Sequence, residues 1–228
     1  MPSLFKNMLT TCVIILIYIV PVIAQDAVPV REEPRHKPVF QNKYIRLLDV
    51  WLPPDDTTLF HIHATPSLFT FLTTATIGSQ IKGSEWKKDK ASAGQTWYRS
   101  FKNDTLVHRV SNEDVVPLHV IDLELLSFYD TMYSKAHPPK LPFELLYESD
   151  RAFAWRLTNA SYQNYIFKDR GPMVAELATG EGLFYHDTKT NQSKDIKPGM
   201  YLFIEPGSSF YFSNSNKDTI NLVLFELK

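Results

Sequence analysis

The chain has 228 residues, of which 44% are hydrophobic and 13% aromatic, enough to bury one large core or two small ones. Its 24 Lys and Arg residues nearly balance its 25 Asp and Glu residues, without a long basic stretch or an acidic tail. This balance argues against nucleic acid and against an anionic membrane surface as partners. Fifteen prolines and eleven tyrosines favour β-strands separated by frequent turns.

Residues 1–24 have the pattern of a secretory signal peptide. Lys6 supplies the positive charge, residues 8–20 form the apolar stretch, and Val22-Ile23-Ala24 is a suitable cleavage site. The alternative is an uncleaved membrane anchor, but the apolar stretch is shorter than the roughly 20 residues that a spanning helix needs. The sequence therefore predicts a secreted or periplasmic protein with no membrane contact after cleavage. Its only cysteine, Cys12, would leave with the signal, so no disulfide is expected.

Two proline-containing segments divide the remaining chain. Residues 25–38 combine three prolines with charged runs, which predicts a linker in which His36 is a solvated residue. Residues 129–147 contain three more prolines and predict a second linker. The predicted domains are therefore residues 39–128 and residues 148–228.

Short runs of strand-forming residues, rather than helical periodicity, fill both predicted domains. Turn residues separate these runs closely, which is typical of a sandwich or a barrel. The first domain has predicted strands at residues 44–52, 59–64, 68–77, 95–101, 106–110 and 118–126. The second has them at residues 152–157, 162–167, 173–177, 182–186, 200–204, 209–212 and 220–227.

One predicted strand carries two histidines with a single residue between them. Because side chains alternate between the faces of a strand, His61 and His63 are expected to point the same way and Ile62 the other. Two imidazoles on one face can share a metal ion, and His108, in another apolar strand, is the candidate third ligand. The alternative is three polar side chains at a barrel mouth that are satisfied by hydrogen bonds.

The two predicted domains resemble each other in sequence. Residues 108–112 align with residues 210–214 at an offset of 102, and this offset also aligns Glu124 with Glu226. His61 aligns with Phe167 at an offset of 106, so one loop insertion separates the two registers. We interpret the pattern as a duplication, with chance matching between similar strands as the alternative.

The spacing of these residues resembles the cupin motifs. His61-Ile62-His63 is followed about 45 residues later by His108 and then Asn112, as in the two halves of the motif. In the second domain Gly199, Gly207 and Asn214 fall on motif positions, but Glu205 stands where proline is usual and Phe210 where histidine is usual. The resemblance covers residues 39–228 and implies an all-β fold of two tandem double-stranded β-helix (jelly-roll) barrels, a bicupin whose second barrel has lost its metal site.

The resemblance also implies a metal site in the first barrel with His61, His63 and His108 as ligands. The motif's glutamate is missing, because Ser67 and Leu68 occupy its positions. Neutral imidazoles suit a divalent Fe, Zn, Ni, Cu or Mn ion, and the ligand type does not choose among them. Three protein ligands would leave coordination positions open for a small-molecule ligand.

These features lead to two functional hypotheses, with a purely structural duplicated domain as a third alternative. The first is an exported, metal-dependent enzyme, dioxygenase-like by family analogy, that acts on a small molecule, although no general base can be named. The second is a cupin module that binds a sugar or another small molecule without turnover. In either case the second barrel would stabilise the first or form a homodimer contact.

Overall fold

Eighteen β-strands and one short 3₁₀ helix make up the secondary structure of the described residues. We describe the fold from a computed structural model, which covers residues 26–129, 140–158, 162–163, 165–215 and 219–228. The predicted signal peptide lies outside these residues. Within them, no helix has the length and apolar character that crossing a membrane would require.

The first ten strands form the first barrel. Two five-stranded sheets face each other, with strand orders β1-β4-β9-β6-β7 and β2-β3-β10-β5-β8. The helix η1 (Val30–Glu32) follows the first strand. The strands are β1 (Val28–Pro29), β2 (His36–Gln41), β3 (Ile45–Leu52), β4 (His61–His63), β5 (Ser67–Phe71), β6 (Ala75–Ile81), β7 (Lys87–Ala91), β8 (Thr96–Arg99), β9 (Leu106–Asn112) and β10 (Leu118–Leu125).

The second barrel repeats this strand order. Its larger sheet runs β11-β12-β18-β13-β16 and its smaller sheet runs β15-β14-β17. Matching the strands in order pairs β10 with β18, β5 with β13, and β9 with β17. The strands are β11 (Glu144–Glu148), β12 (Ala152–Leu157), β13 (Met173–Thr179), β14 (Leu183–Asp187), β15 (Ser193–Ile196), β16 (Tyr201–Ile204), β17 (Phe210–Asn214) and β18 (Asn221–Leu227).

The sheet β2-β3-β10-β5-β8 of the first barrel packs face to face with the five-stranded sheet of the second barrel, so the central strands of both sheets are buried on both sides. On β10, Leu118 and Val120 point into the first barrel, whereas Ile121 and Leu123 point towards the second barrel. A strand buried on both faces reads as a near-continuous apolar run, which is the pattern of β18, whereas β10 departs from it at His119, Asp122 and Glu124. The contact between the barrels is a hydrophobic cluster to which both barrels contribute.

Most predicted strands are present, with three differences. The predicted strand 68–77 is two strands, β5 and β6, because the chain turns after Phe71. The predicted strand 162–167 is wrong: the described residues there form only isolated bridges, at Gln163 and Phe167. Strands β1, β2, β7, β11 and β15 were not expected, since they are short, polar or rich in proline.

The interpretation of residues 25–38 as a solvated tether is also wrong. Its residues form β1, η1 and the start of β2, and His36 is only 6% exposed. Strand β1 pairs in parallel with β4, and β2 pairs antiparallel with β3. The segment has few apolar side chains, and so its burial could not be predicted from the sequence. Backbone hydrogen bonds and paired polar groups hold it in place instead. The predicted linker 129–147 likewise contains most of β11.

Candidate metal centre

Strands β4 and β9 bring the three predicted histidines together. His61 and His63 lie on the inner face of β4, and both are buried. In the antiparallel register between the two strands, His61 lies directly opposite His108. The ring centroids are 4.5 Å apart for His61 and His108, 5.0 Å for His61 and His63, and 5.1 Å for His63 and His108.

The hydrogen bonds of His61 fix which of its nitrogens can bind a metal. Its Nδ1 lies 2.9 Å from the carbonyl oxygen of Leu59, and a carbonyl only accepts, so Nδ1 carries the proton. Its Nε2 is therefore left with a lone pair, and it is buried without a hydrogen-bond partner among the described residues. The Nε2 of His108 is buried in the same way. A buried acceptor without a partner costs free energy, which a bound cation would offset.

The three histidines are held in the neutral form that binds metals. Burial, with the neighbouring imidazoles His36 and His108, lowers the pKa of His61 to about 2. Burial likewise lowers the pKa of His108 to about 4 and the pKa of His63 well below its usual value. The rings are neutral at pH 7, and so their lone pairs are available to a metal ion. The donor set therefore fits a divalent ion that accepts imidazole.

A fourth histidine, His36 of β2, belongs to the same cluster. Its ring centroid lies 4.5 Å from that of His61 and 6.2 Å from that of His63. The potential ligand nitrogens of His36, His61 and His63 all lie within 4.8 Å of one another. Sequence analysis missed this residue because nothing local indicates that β2 folds back against β4.

Asp122 is a second residue that sequence analysis missed. It lies on β10, is 1% exposed, and has one carboxyl oxygen 3.5 Å from Nδ1 of His63. Burial, together with the charge of nearby Glu124, raises the pKa of Asp122 well above its usual value. A raised pKa favours the protonated, uncharged form of this carboxyl group next to the histidines. The alternation of β10 could have indicated it, since Leu118 and Val120 on the same face line the barrel.

The histidines form the polar end of a small cavity inside the first barrel. Its volume is about 120 Å³, and Asp122 and Arg99 also line it. Apart from Thr58, the rest of its wall is apolar, with six aliphatic side chains and the four aromatic ones Phe69, Phe71, Trp97 and Phe101. A closed cavity of about 150 Å³ holds one benzene molecule, so the part of a ligand that enters this space would be no larger than a single six-membered ring.

The second barrel has a phenylalanine pair at the corresponding place. Phe167 and Phe210 form an antiparallel bridge, as His61 and His108 do in the first barrel. Their rings stack with centroids 4.7 Å apart, and each side chain is 1% exposed. These are the residues that the sequence offsets align with the histidines, and they belong to a hydrophobic cluster that fills this barrel.

The remaining polar candidates have structural partners. Asn112 donates hydrogen bonds to the carbonyls of Leu52 and Val116, the strand-end role that its position indicates. Glu124 is buried and pairs with Arg46 at 2.7 Å. His119 pairs with Asp49 at 2.6 Å on the outside of the barrel. Ser67, at the position of the missing glutamate, bonds the carbonyl of Thr65.

Comparison of the whole fold identifies cupin proteins among solved structures. The chain is similar to AerE from Microcystis aeruginosa, with 13% identity over 86% of this chain and 98% of that one and a TM-score of 0.57. It is similar to the protein Ylba from E. coli, a DUF861 protein, with 12% identity, coverage of 91% and 88% and a TM-score of 0.60. A cupin 2 conserved barrel domain protein from Leptotrichia buccalis matches with 11% identity, coverage of 84% and 88% and a TM-score of 0.52.

These likenesses establish the fold and not the activity, because the identities are low. The predicted fold class, all-β with two jelly-roll barrels, is confirmed. No protein-family model and no curated protein sequence matches the chain.

Proposed function

We propose that the first barrel binds a divalent metal ion through His61, His63 and His108 and acts on a small molecule held in the adjoining cavity. The observation that carries this proposal is the pair of buried Nε2 atoms of His61 and His108, which have no hydrogen-bond partner among the described residues and belong to rings 4.5 Å apart on paired strands. Ordinary core histidines have such atoms satisfied, whereas metal ligands need them free.

The residues of the chain have distinct roles in this proposal. The imidazoles of His61, His63 and His108 would hold a divalent Fe, Zn, Ni, Cu or Mn ion. Such an ion supplies a Lewis acid with open positions for an oxygen or nitrogen donor of the ligand. Phe69, Phe71 and the other apolar wall residues exclude water and orient the body of the ligand. Asp122 lines the cavity, and its raised pKa favours a protonated carboxyl group, which would donate a hydrogen bond to the ligand.

The proposal extends to the rest of the chain. The matching strand order supports descent of both barrels from one duplicated unit, with the second barrel now serving stability. The pattern of residues 1–24 supports export of the protein to a secreted or periplasmic location. Binding without turnover is the second candidate function. It is favoured by the cavity wall, where Asp122 and Arg99 are the only ionisable lining groups apart from the histidines.

Metal analysis of the purified protein tests the proposal. We expect one equivalent of a divalent metal per chain, and loss of that metal in His61→Ala and His108→Ala. His186→Ala is the matched control, because it removes a histidine of the second barrel, where Ser193 and Ser213 occupy both ring nitrogens. A well-folded protein that binds no metal, or whose metal survives both substitutions, would reject the metal site. Retained metal with no turnover on any small molecule tried would favour the binding module.

A further inference from the structure

We propose that His36 is a fourth ligand of the metal and that Glu33 positions it, so that the N-terminal segment completes and closes the site. This inference rests on the proposed metal site of the first barrel. We call residues 28–41 the N-terminal strap. The strap consists of β1, η1 and β2 and lies between the ligand strand β4 and the barrel strand β3.

His36 has the location of a ligand. Its side chain lines the cavity with His61, His63 and His108. Its potential ligand nitrogen lies within 4.8 Å of those of His61 and His63, and His108 adjoins this group with its ring centroid 4.5 Å from that of His61. A histidine in a proline-rich surface segment is usually exposed, whereas His36 is 6% exposed and lies beside three other imidazoles.

Glu33 fixes the orientation and the proton of His36. One of its carboxylate oxygens lies 2.8 Å from Nδ1 of His36, so Nδ1 donates and Nε2 is the nitrogen that would bind a metal. The Leu59 carbonyl does the same for His61. A carboxylate that receives the second N–H of a histidine is the usual partner of a metal ligand, because it sets the tautomer and makes the other nitrogen more basic.

The carboxylate of Glu33 is built into the fold. Its side chain is 1% exposed, and it accepts hydrogen bonds from the backbone N–H groups of Arg35, at 2.6 Å, and Leu59, at 3.1 Å. Burial alone would raise the pKa of Glu33, but these hydrogen bonds and the one from His36 hold it below its usual value. Leu59 lies two residues before His61, so the Glu33 carboxylate links the strap to the segment that leads into β4.

The strap is fastened at two further places beside the site. Val28 of β1 pairs with His61 itself in a parallel register. Arg35 holds Asp56 through two parallel hydrogen bonds of 3.0 and 2.8 Å. A metal that binds His36 would therefore stabilise the docked strap, and a docked strap would strengthen metal binding by the same factor.

Metal affinity is the first test, measured for Zn²⁺ by competition with a chromophoric chelator. We expect Glu33→Gln to weaken binding 10- to 100-fold and His36→Ala to weaken it further. Loading with Co²⁺ should give a visible spectrum that changes in His36→Ala, a signature that a purely structural residue would leave unchanged. His119→Ala and Asp49→Asn are matched controls, since they dismantle a second histidine–carboxylate pair in the same barrel. Both controls should bind Zn²⁺ within twofold of the parent.

Limited trypsin digestion is the second test, and it does not depend on an affinity. The strap carries Arg31, whose side chain is 54% exposed, and Arg35 as cleavage sites. Zn²⁺ should slow cleavage at these sites at least 10-fold in the parent and in His119→Ala. In His36→Ala, at a Zn²⁺ concentration that still loads the other histidines, it should change the cleavage rate less than twofold. His36→Gln, which keeps the size of the side chain, should behave as His36→Ala does.

The outcomes separate the two proposals. If the parent binds no metal, the proposed function fails and this inference fails with it. If the parent binds one equivalent but His36→Ala has the same affinity, the same Co²⁺ spectrum and the same metal-dependent protection, only the fourth ligand is overturned.

Discussion

The two barrels share a strand order but have different interiors. In the first, four histidines and Asp122 surround a cavity of about 120 Å³. In the second, aromatic and aliphatic side chains fill the corresponding space, with Phe167 and Phe210 stacked where His61 and His108 face each other. One scaffold therefore gives either an open polar centre or a filled core, according to the residues at one pair of opposite positions. The shared backbone thus determines where a site can form in each barrel, and the side chains at that place determine whether the space is open or filled.

The largest effect is expected from removing the filled core of the second barrel. Phe210→Ala deletes a side chain that is 1% exposed, and a cavity of that size costs about 3–5 kcal/mol in the free energy of unfolding. His108→Ala, the equivalent change in the first barrel, should cost metal-free protein about 1 kcal/mol or less, because the imidazole it removes has a buried nitrogen without a partner among the described residues. Urea denaturation of both variants measures the difference, and equal costs would contradict the assignment of stability to one barrel and binding to the other.

A buried glutamate at the contact between the barrels should make the stability of the protein depend on pH. At an offset of 106 residues, Thr70 of the first barrel corresponds to Glu176 of the second, and the two meet at the contact. Burial raises the pKa of Glu176 to about 8, against a smaller opposing effect of the Thr70 hydroxyl. The folded protein thus keeps this proton up to about pH 8, whereas the unfolded chain loses it near pH 4.5.

The free energy of unfolding should therefore fall as the pH rises from about 4.5 to about 8, by on the order of 4 kcal/mol from this group. Glu176→Gln, which stays uncharged, should lose that slope and become more stable than the parent at pH 8. Denaturation at pH 5, 6, 7 and 8 measures the slope. A parent and a variant with parallel profiles would show that Glu176 does not titrate in this range.

Metal should stabilise the protein through the first barrel alone. With Zn²⁺ at 100 times its dissociation constant, the free energy of unfolding should rise by about 2.7 kcal/mol. His61→Ala should lose this gain, whereas Phe210→Ala should keep it, although its starting stability is lower. Denaturation with Zn²⁺ and with a chelator measures the gain, and the same gain in His61→Ala would place the metal elsewhere.

The smallest effect is expected at His186, on the outside of the second barrel. Its ring bonds the hydroxyls of Ser193 and Ser213, each at 2.7 Å, and stacks on Tyr211. His186→Ala should cost about 1 kcal/mol or less and leave metal binding unchanged. A loss of metal in this variant would contradict the placement of the metal site in the first barrel. Metal titration together with denaturation of the variant is the measurement.

Much of the site could be predicted because it depends on local patterns. The two-residue period of a strand puts His61 and His63 on one face, and the structure has them there. The constant offsets between the halves align His61 with Phe167 and His108 with Phe210, and the barrels pair these residues in the same way. Patterns of this kind need no knowledge of how distant segments pack.

Other parts could not be predicted from the same patterns. The strand 162–167 fails because its apolar residues pack as irregular chain against β17, with only isolated bridges. The N-terminal strap was interpreted as solvated because prolines and charges usually indicate a linker. Its burial depends on the hydrogen bonds of Glu33 with Leu59 and of Arg35 with Asp56, both more than 20 residues away.

Strand periodicity was enough to predict the all-β class, and the resemblance to the cupin motifs added the double barrel and the set of His61, His63 and His108. The contacts of His36 and Glu33 with this set, the position of Asp122 in the cavity wall, and the meeting of Thr70 with Glu176 are visible only in the folded protein. Burial and proton affinity depend on neighbours that the fold brings together, and the local sequence around Glu33, Asp122 or Glu176 does not contain those neighbours.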